Sequence, residues 1–94
     1  EYRLAGINTA DILYIEGMGD YRRIITTGKN IMTLETFKDL LSKLPTKKFY
    51  RVHNSYIVSL DRIDKIERNR IAIGDQLIPI SNSFGKDFYN SLNS

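Results

Sequence analysis

The chain has no cysteine and no tryptophan, one histidine (His53) and two prolines in 94 residues. Without cysteine there is no disulfide, no thiolate zinc site and no cysteine nucleophile. A lone histidine leaves an imidazole-based metal site without a second ring, so no metal or other cofactor is expected. No apolar run approaches the ~18–20 residues that a membrane-spanning helix needs. The N-terminus lacks the basic-then-apolar order of a secretion signal. A large charge excess is missing too: 14 Lys and Arg against 11 Asp and Glu leave +3. That total permits a polyanionic partner without demanding one. Apolar residues make up 41% of the chain, and Glu1 rather than Met begins it. It is read as a single domain over residues 1–94, with a modest core, excised from a longer protein.

What the chain does have is a succession of short β-type runs separated by turn residues. Asp11-Ile-Leu-Tyr-Ile-Glu16 stops at Gly17-Met18-Gly19-Asp20, Tyr21 to Thr27 follows, and Gly28-Lys29-Asn30 turns the chain into Ile31-Met32-Thr33. The same texture recurs from Ile63 to Ile80, where Pro79 belongs at a strand end or a sheet edge. Such alternation of β-branched runs with Gly, Asn and Asp predicts consecutive antiparallel strands. One stretch differs. Leu34, Phe37, Leu40, Leu41 and Leu44 recur at helical spacing, with Thr36 and Asp39 as a capping pair and Pro45 as the stop. A second short helix is expected near the end, capped by Ser83, with Phe84, Phe88 and Leu92 on one face.

The charge is unevenly placed. No acidic residue lies between Asp39 and Asp61, a window that holds Lys43, Lys47, Lys48, Arg51 and His53. A second acid-free window from Tyr21 to Leu34 holds Arg22, Arg23 and Lys29. The acids gather at Asp61, Asp64, Glu67 and Asp75. A nearly balanced chain can thus present a basic face of the kind that binds phosphates; charges that simply alternate with solvent are the competing reading.

The segment Phe49-Tyr50-Arg51-Val52-His53-Asn54-Ser55-Tyr56-Ile57-Val58 is the richest in polar chemistry. Arg pairs with guanine and Asn with adenine in the major groove, while Ser, Tyr and Lys suit phosphate oxygens. His53 is equally readable as a structural residue, and Asn54 and Ser55 as turn formers. His53 and Ser55 do not make a catalytic pair: no nucleophile elbow or oxyanion loop accompanies them, so no enzyme activity is expected.

With these segments in order (Ile12-Leu-Tyr-Ile-Glu16, a Gly/Asp loop and Tyr21, Met32-Thr33, Thr36-Phe37, Leu44-Pro45, the Phe49–Val58 core and Ile78-Pro-Ile-Ser81), the sequence resembles the LytTR family over about residues 8–92. The resemblance implies a mainly β fold, an elongated arrangement of three small antiparallel sheets with a short central helix and a short C-terminal helix. It implies a cytoplasmic bacterial output domain, downstream of a phosphorylatable receiver domain that a sensor histidine kinase acts on. Such domains regulate transcription by binding double-stranded DNA at direct repeats, usually as dimers, reading the major groove with loops and bending the duplex. The expected DNA-binding residues are Tyr21, Arg22 and Arg23; Lys47 and Lys48; Arg51, His53, Asn54, Ser55 and Tyr56; and Ser81, Asn82 and Lys86. Family members often carry Arg or Lys where this chain has Asn82, which weakens the case for a guanine contact there; Lys86 one turn on offers a phosphate contact instead. Two other classes stay open: a β module that recruits a peptide by strand addition, and a single-strand binder stacking bases on Tyr21, Tyr50 and Tyr56.

Overall fold

A computed structural model describes residues 3–93. In chain order the strands are β1 (Arg3–Leu4), β2 (Ile7–Asn8), β3 (Ile12–Met18), β4 (Tyr21–Thr26) and β5 (Asn30–Thr33). Helix α1 (Phe37–Lys43) follows, then β6 (Phe49–His53), β7 (Tyr56–Ser59), β8 (Lys65–Glu67), β9 (Arg70–Ile73), β10 (Gln76–Pro79) and α2 (Asn82–Leu92). The strands form three antiparallel sheets: β1-β2, the five-stranded β5-β4-β3-β7-β6, and β10-β9-β8. The body is only slightly elongated, 33 × 29 × 26 Å.

The central sheet separates two hydrophobic cores. One face carries Ile12, Ile15, Ile24 and Ile57 against Phe37, Leu40 and Leu44 of the α1 segment and Leu4 and Ile7 of the small sheet. The other carries Tyr14, Val52 and Val58 against Ile71, Ile73 and Ile78 of the third sheet and Phe88 of α2. Side chains alternate across a strand, so Ile12 and Ile15 share a face only because the β3–β4 register slips between Ile12 and Tyr14. A second slip, between Arg51 and His53, does the same work in β6. Each is a β-bulge, which bends a strand and redirects the residues beyond it.

The expected strands and helices are present, with local corrections. Leu34 is not part of the helical stripe: it lies before the cap, 68% exposed. Thr36 caps α1 by accepting from the Asp39 N–H, and Leu44 ahead of Pro45 is extended (φ −100°, ψ 154°). The cap of α2 is Ser81, not Ser83. β10 ends at Pro79, Ser81 is already extended (ψ 157°), and its hydroxyl accepts from the Phe84 N–H. Gly17 and Met18 belong to β3 rather than to the turn, which needs only Gly19 and Asp20 before β4 begins at Tyr21. Pro79 ends an edge strand, as expected.

The corrected cap gives a direct test. Ser81→Ala should lower stability by about 1 kcal/mol in urea unfolding, whereas Ser83→Ala should change it by a few tenths at most. Equal effects would restore Ser83 as the cap.

Candidate nucleic-acid interface

Two turns and the start of a helix meet at one end of the central sheet. The Gly17 N–H donates to the Ser55 carbonyl at 2.8 Å, joining the end of β3 to the β6–β7 turn. A Cβ on Gly17 would sit 3.3 Å from Phe37 Cε2 and 3.7 Å from Ser55 Cα, so glycine permits this approach. On the other side the Ser81 N–H donates to the Val52 carbonyl at 2.8 Å. Val52 lies within the β6 irregularity, so the cap residue of α2 takes up a carbonyl where the ladder is disrupted. The helix start is thereby fixed beside the Asn54–Ser55 turn.

Arg51 braces this junction. Its guanidinium lies 4.7 Å from the Phe37 ring centroid and 4.6 Å from that of Phe84. Nε donates to the His53 carbonyl at 3.3 Å, and Nη2 to the Asn54 carbonyl at 2.6 Å and to Asn54 Oδ1 at 3.3 Å. Burial, and then the nearby positive charge of Arg22, lowers the Arg51 pKa from its ordinary value. His53 completes the turn: its Nδ1 accepts from the Ser55 N–H at 3.0 Å, and its ring packs 5.7 Å from Tyr56. An accepting Nδ1 leaves the neutral ring's proton on Nε2.

Arg22 approaches Phe37 from the other side, 5.1 Å from the ring centroid. Its Nη1 donates to the Asp20 carbonyl at 3.1 Å, and its buried Nε has no hydrogen-bond partner among the described residues. Between the two guanidinium groups is a shallow cleft lined by Gly17, Gly19, Arg22, Phe37, Arg51, Asn54 and Ser55, with no carboxylate among them. Arg23, on the opposite face, is held by Glu16. Tyr21 is 47% exposed at the turn, and Tyr56 packs its ring on Tyr14 and His53. Asn82 and Lys86 are exposed on the first turns of α2, while the Ser81 hydroxyl is occupied as the cap.

Lys47 and Lys48 are not brought to this end. Phe49 pairs with Ser59 and His53 with Tyr56, so Lys48 lies at the opposite end of the β6–β7 ladder. Six residues of extended chain put it roughly 20 Å from Asn54. There Lys48 Nζ pairs with Asp61 at 2.9 Å. The acid-free window around residues 40–60 therefore does not form one basic face. Sequence reasoning also missed Phe84 as a partner of Arg51; its place four residues before Phe88 marked only the helical stripe.

If Arg51 holds the turn, Arg51→Met, which keeps the stem and loses the guanidinium, should lower stability by about 1.5–3 kcal/mol. Amide exchange should accelerate locally at Asn54 and Ser55. Arg51→Lys should not restore protection, since an ammonium lacks the planar fork. Unchanged exchange at Asn54 and Ser55 in Arg51→Met would show that the brace is not needed.

Comparison with known proteins identifies the family and the fold. The profile of the LytTr DNA-binding domain matches residues 2–93. The transcriptional regulatory protein NatR of Bacillus subtilis is 36% identical over 53 residues, covering 56% of this chain and 23% of NatR. The sensory transduction protein LytT of Bacillus anthracis is 28% identical over 87 residues, covering 86% of this chain and 35% of that protein. The chain thus spans about a quarter to a third of these relatives. A solved LytTr DNA-binding domain from Bacillus cereus superposes with a TM-score of 0.84 at 18% identity, over 94% of this chain and 86% of that one. With the family profile matching residues 2–93, the chain belongs to the LytTR family of DNA-binding domains, and the solved domain shares its fold.

Proposed function

We propose that this domain binds double-stranded DNA sequence-specifically, as the transcription-regulating output domain of a two-component response regulator. The observation that carries the reading is the Arg22–Phe37–Arg51 cleft. Two guanidinium groups share one ring with no carboxylate between them, and a DNA phosphate placed over the cleft offsets their repulsion through charge-assisted hydrogen bonds to the exposed guanidinium nitrogens. The turn beside it carries the base-reading side chain. Asn54 keeps its amide N–H₂ available while Oδ1 touches Arg51 at 3.3 Å, and an Asn amide pairs bidentately with adenine. Tyr21 and Asn82 flank it, and Lys86 contributes a phosphate contact.

Readout by turns is favoured over readout by a helix. Neither helix has a basic exposed face: α1 offers Lys38 and Lys43, the latter held by Glu35, and α2 offers Lys86. A major groove about 12 Å wide admits a paired-strand turn as readily as a helix. Arg23 acts through Glu16 and Ser81 through the α2 cap; both shape the interface rather than read it. Lys47 and Lys48, at the far end, fall outside the footprint. On direct repeats two copies bind in tandem, and an upstream receiver domain, phosphorylated through a sensor kinase, controls their pairing. Membership in a family of DNA-binding domains leaves a peptide-recruiting module without support.

Selection from random duplexes should yield a defined motif, with affinity falling with salt at a log–log slope of roughly −0.9 per phosphate contact. Asn54→Ala should cost about 1–3 kcal/mol on the selected duplex and flatten preference at one base position. Recovery of no motif would refute the reading; an unchanged motif in Asn54→Ala would remove Asn54 from base recognition.

A further inference from the structure

The hairpin between β8 and β9 brings two further cations to the same end of the molecule. Arg70 pairs with Pro79, three residues before Asn82, and the Ile80 N–H donates to the Asn69 carbonyl at 2.9 Å. Tyr89 of α2 fixes the tip from the side, its hydroxyl donating to Asn69 Oδ1 at 2.8 Å. The tip is therefore anchored to the start of α2, and the chain from Pro79 to Asn82 spans at most roughly 10 Å.

Two features mark the tip as more than a turn. Arg68 and Asn69 both have positive φ, 52° and 60°, in a two-residue connection between Glu67 and Arg70. Such a turn favours Asn, Asp or Gly at its first position, yet here that position holds an arginine. In addition, the side chains of Arg68 and Arg70 are exposed and make no hydrogen bond or ion pair among the described residues. The one acid beside them, Glu67, is held by Lys65 at 3.1 Å. Arg22, Arg23 and Arg51 are by contrast already engaged within the protein.

We infer that Arg68 and Arg70 form a second phosphate-binding arm, which grips the DNA backbone beyond the groove read by Asn54 and carries no base information. The inference rests on the DNA-binding reading above. Its ligand is the phosphodiester backbone of the duplex flanking the read site.

Salt titrations on the selected duplex and on an unrelated duplex test it. Arg68→Asn suits the left-handed turn, and combined with Arg70→Gln it should make the log–log salt slope shallower by roughly 1.8, about 0.9 for each contact. Binding to both duplexes should weaken alike, and the selected motif should stay the same. Arg68→Lys with Arg70→Lys should recover most of the slope. Lys47→Gln with Lys48→Gln removes the same charge at the far end and should leave the slope unchanged. A wild-type slope in the Arg68→Asn/Arg70→Gln protein overturns the inference and assigns the arm to a partner other than DNA. An equal loss from the Lys47/Lys48 pair also overturns it, reducing the effect to net charge. If the wild-type chain binds no duplex, the parent reading fails and this arm with it.

Discussion

The Arg51 guanidinium sits against the rings of Phe37 from α1 and Phe84 from α2, and through Nε and Nη2 it holds the His53 and Asn54 carbonyls. Three elements distant in sequence thus meet at one charged group. Cation–π contacts of this kind contribute up to about 2 kcal/mol when shielded from water. The hydrogen bonds to a charged donor exceed neutral ones. The turn that presents Asn54 is therefore not a free loop. It is held from beneath before any DNA arrives, so less ordering remains to be done on binding.

The scaffold makes that hold possible. The central sheet has a buried core on each face, and the sheet ends become rigid mounting points for turns. The irregularity in β6 frees the Val52 carbonyl for the Ser81 N–H, which places α2. The close approach at Gly17 ties the β3–β4 turn to Ser55. Readout by turns on a rigid sheet is an alternative to the recognition helix, and it needs the turns fixed by hydrogen bonds rather than by helical geometry.

Much of this was legible in the residues, for a physical reason: local order obeys local chemistry. The strands around Gly17–Asp20 and Gly28–Asn30, the Thr36 cap and the Leu44–Pro45 stop all depend on neighbours within a few positions. What the sequence did not disclose is long-range. Leu34 fits the helical spacing, but the Thr36 cap excludes it. Ser81 and Ser83 are equivalent as letters, and only the end of β10 at Pro79 chooses between them. Lys48 and Arg51 share an acid-free window, yet strand length puts Lys48 against Asp61 at the other end of the molecule. Arg68 and Arg70 lie among acids in the sequence and beside the start of α2 in space. A one-dimensional charge pattern finds basic residues; it does not say which of them the fold has already paired.

On the proposed reading, Arg51 acts on DNA recognition through Asn54. A double-mutant cycle with Arg51→Met and Asn54→Ala, measured as the affinity difference between the selected and an unrelated duplex, tests it most directly. Coupling of about 0.5–3 kcal/mol is expected, because once the brace is gone little base discrimination remains for Asn54→Ala to remove. Strict additivity of the two losses would contradict this reading and mean that Arg51 serves only as a phosphate contact and does not act through Asn54.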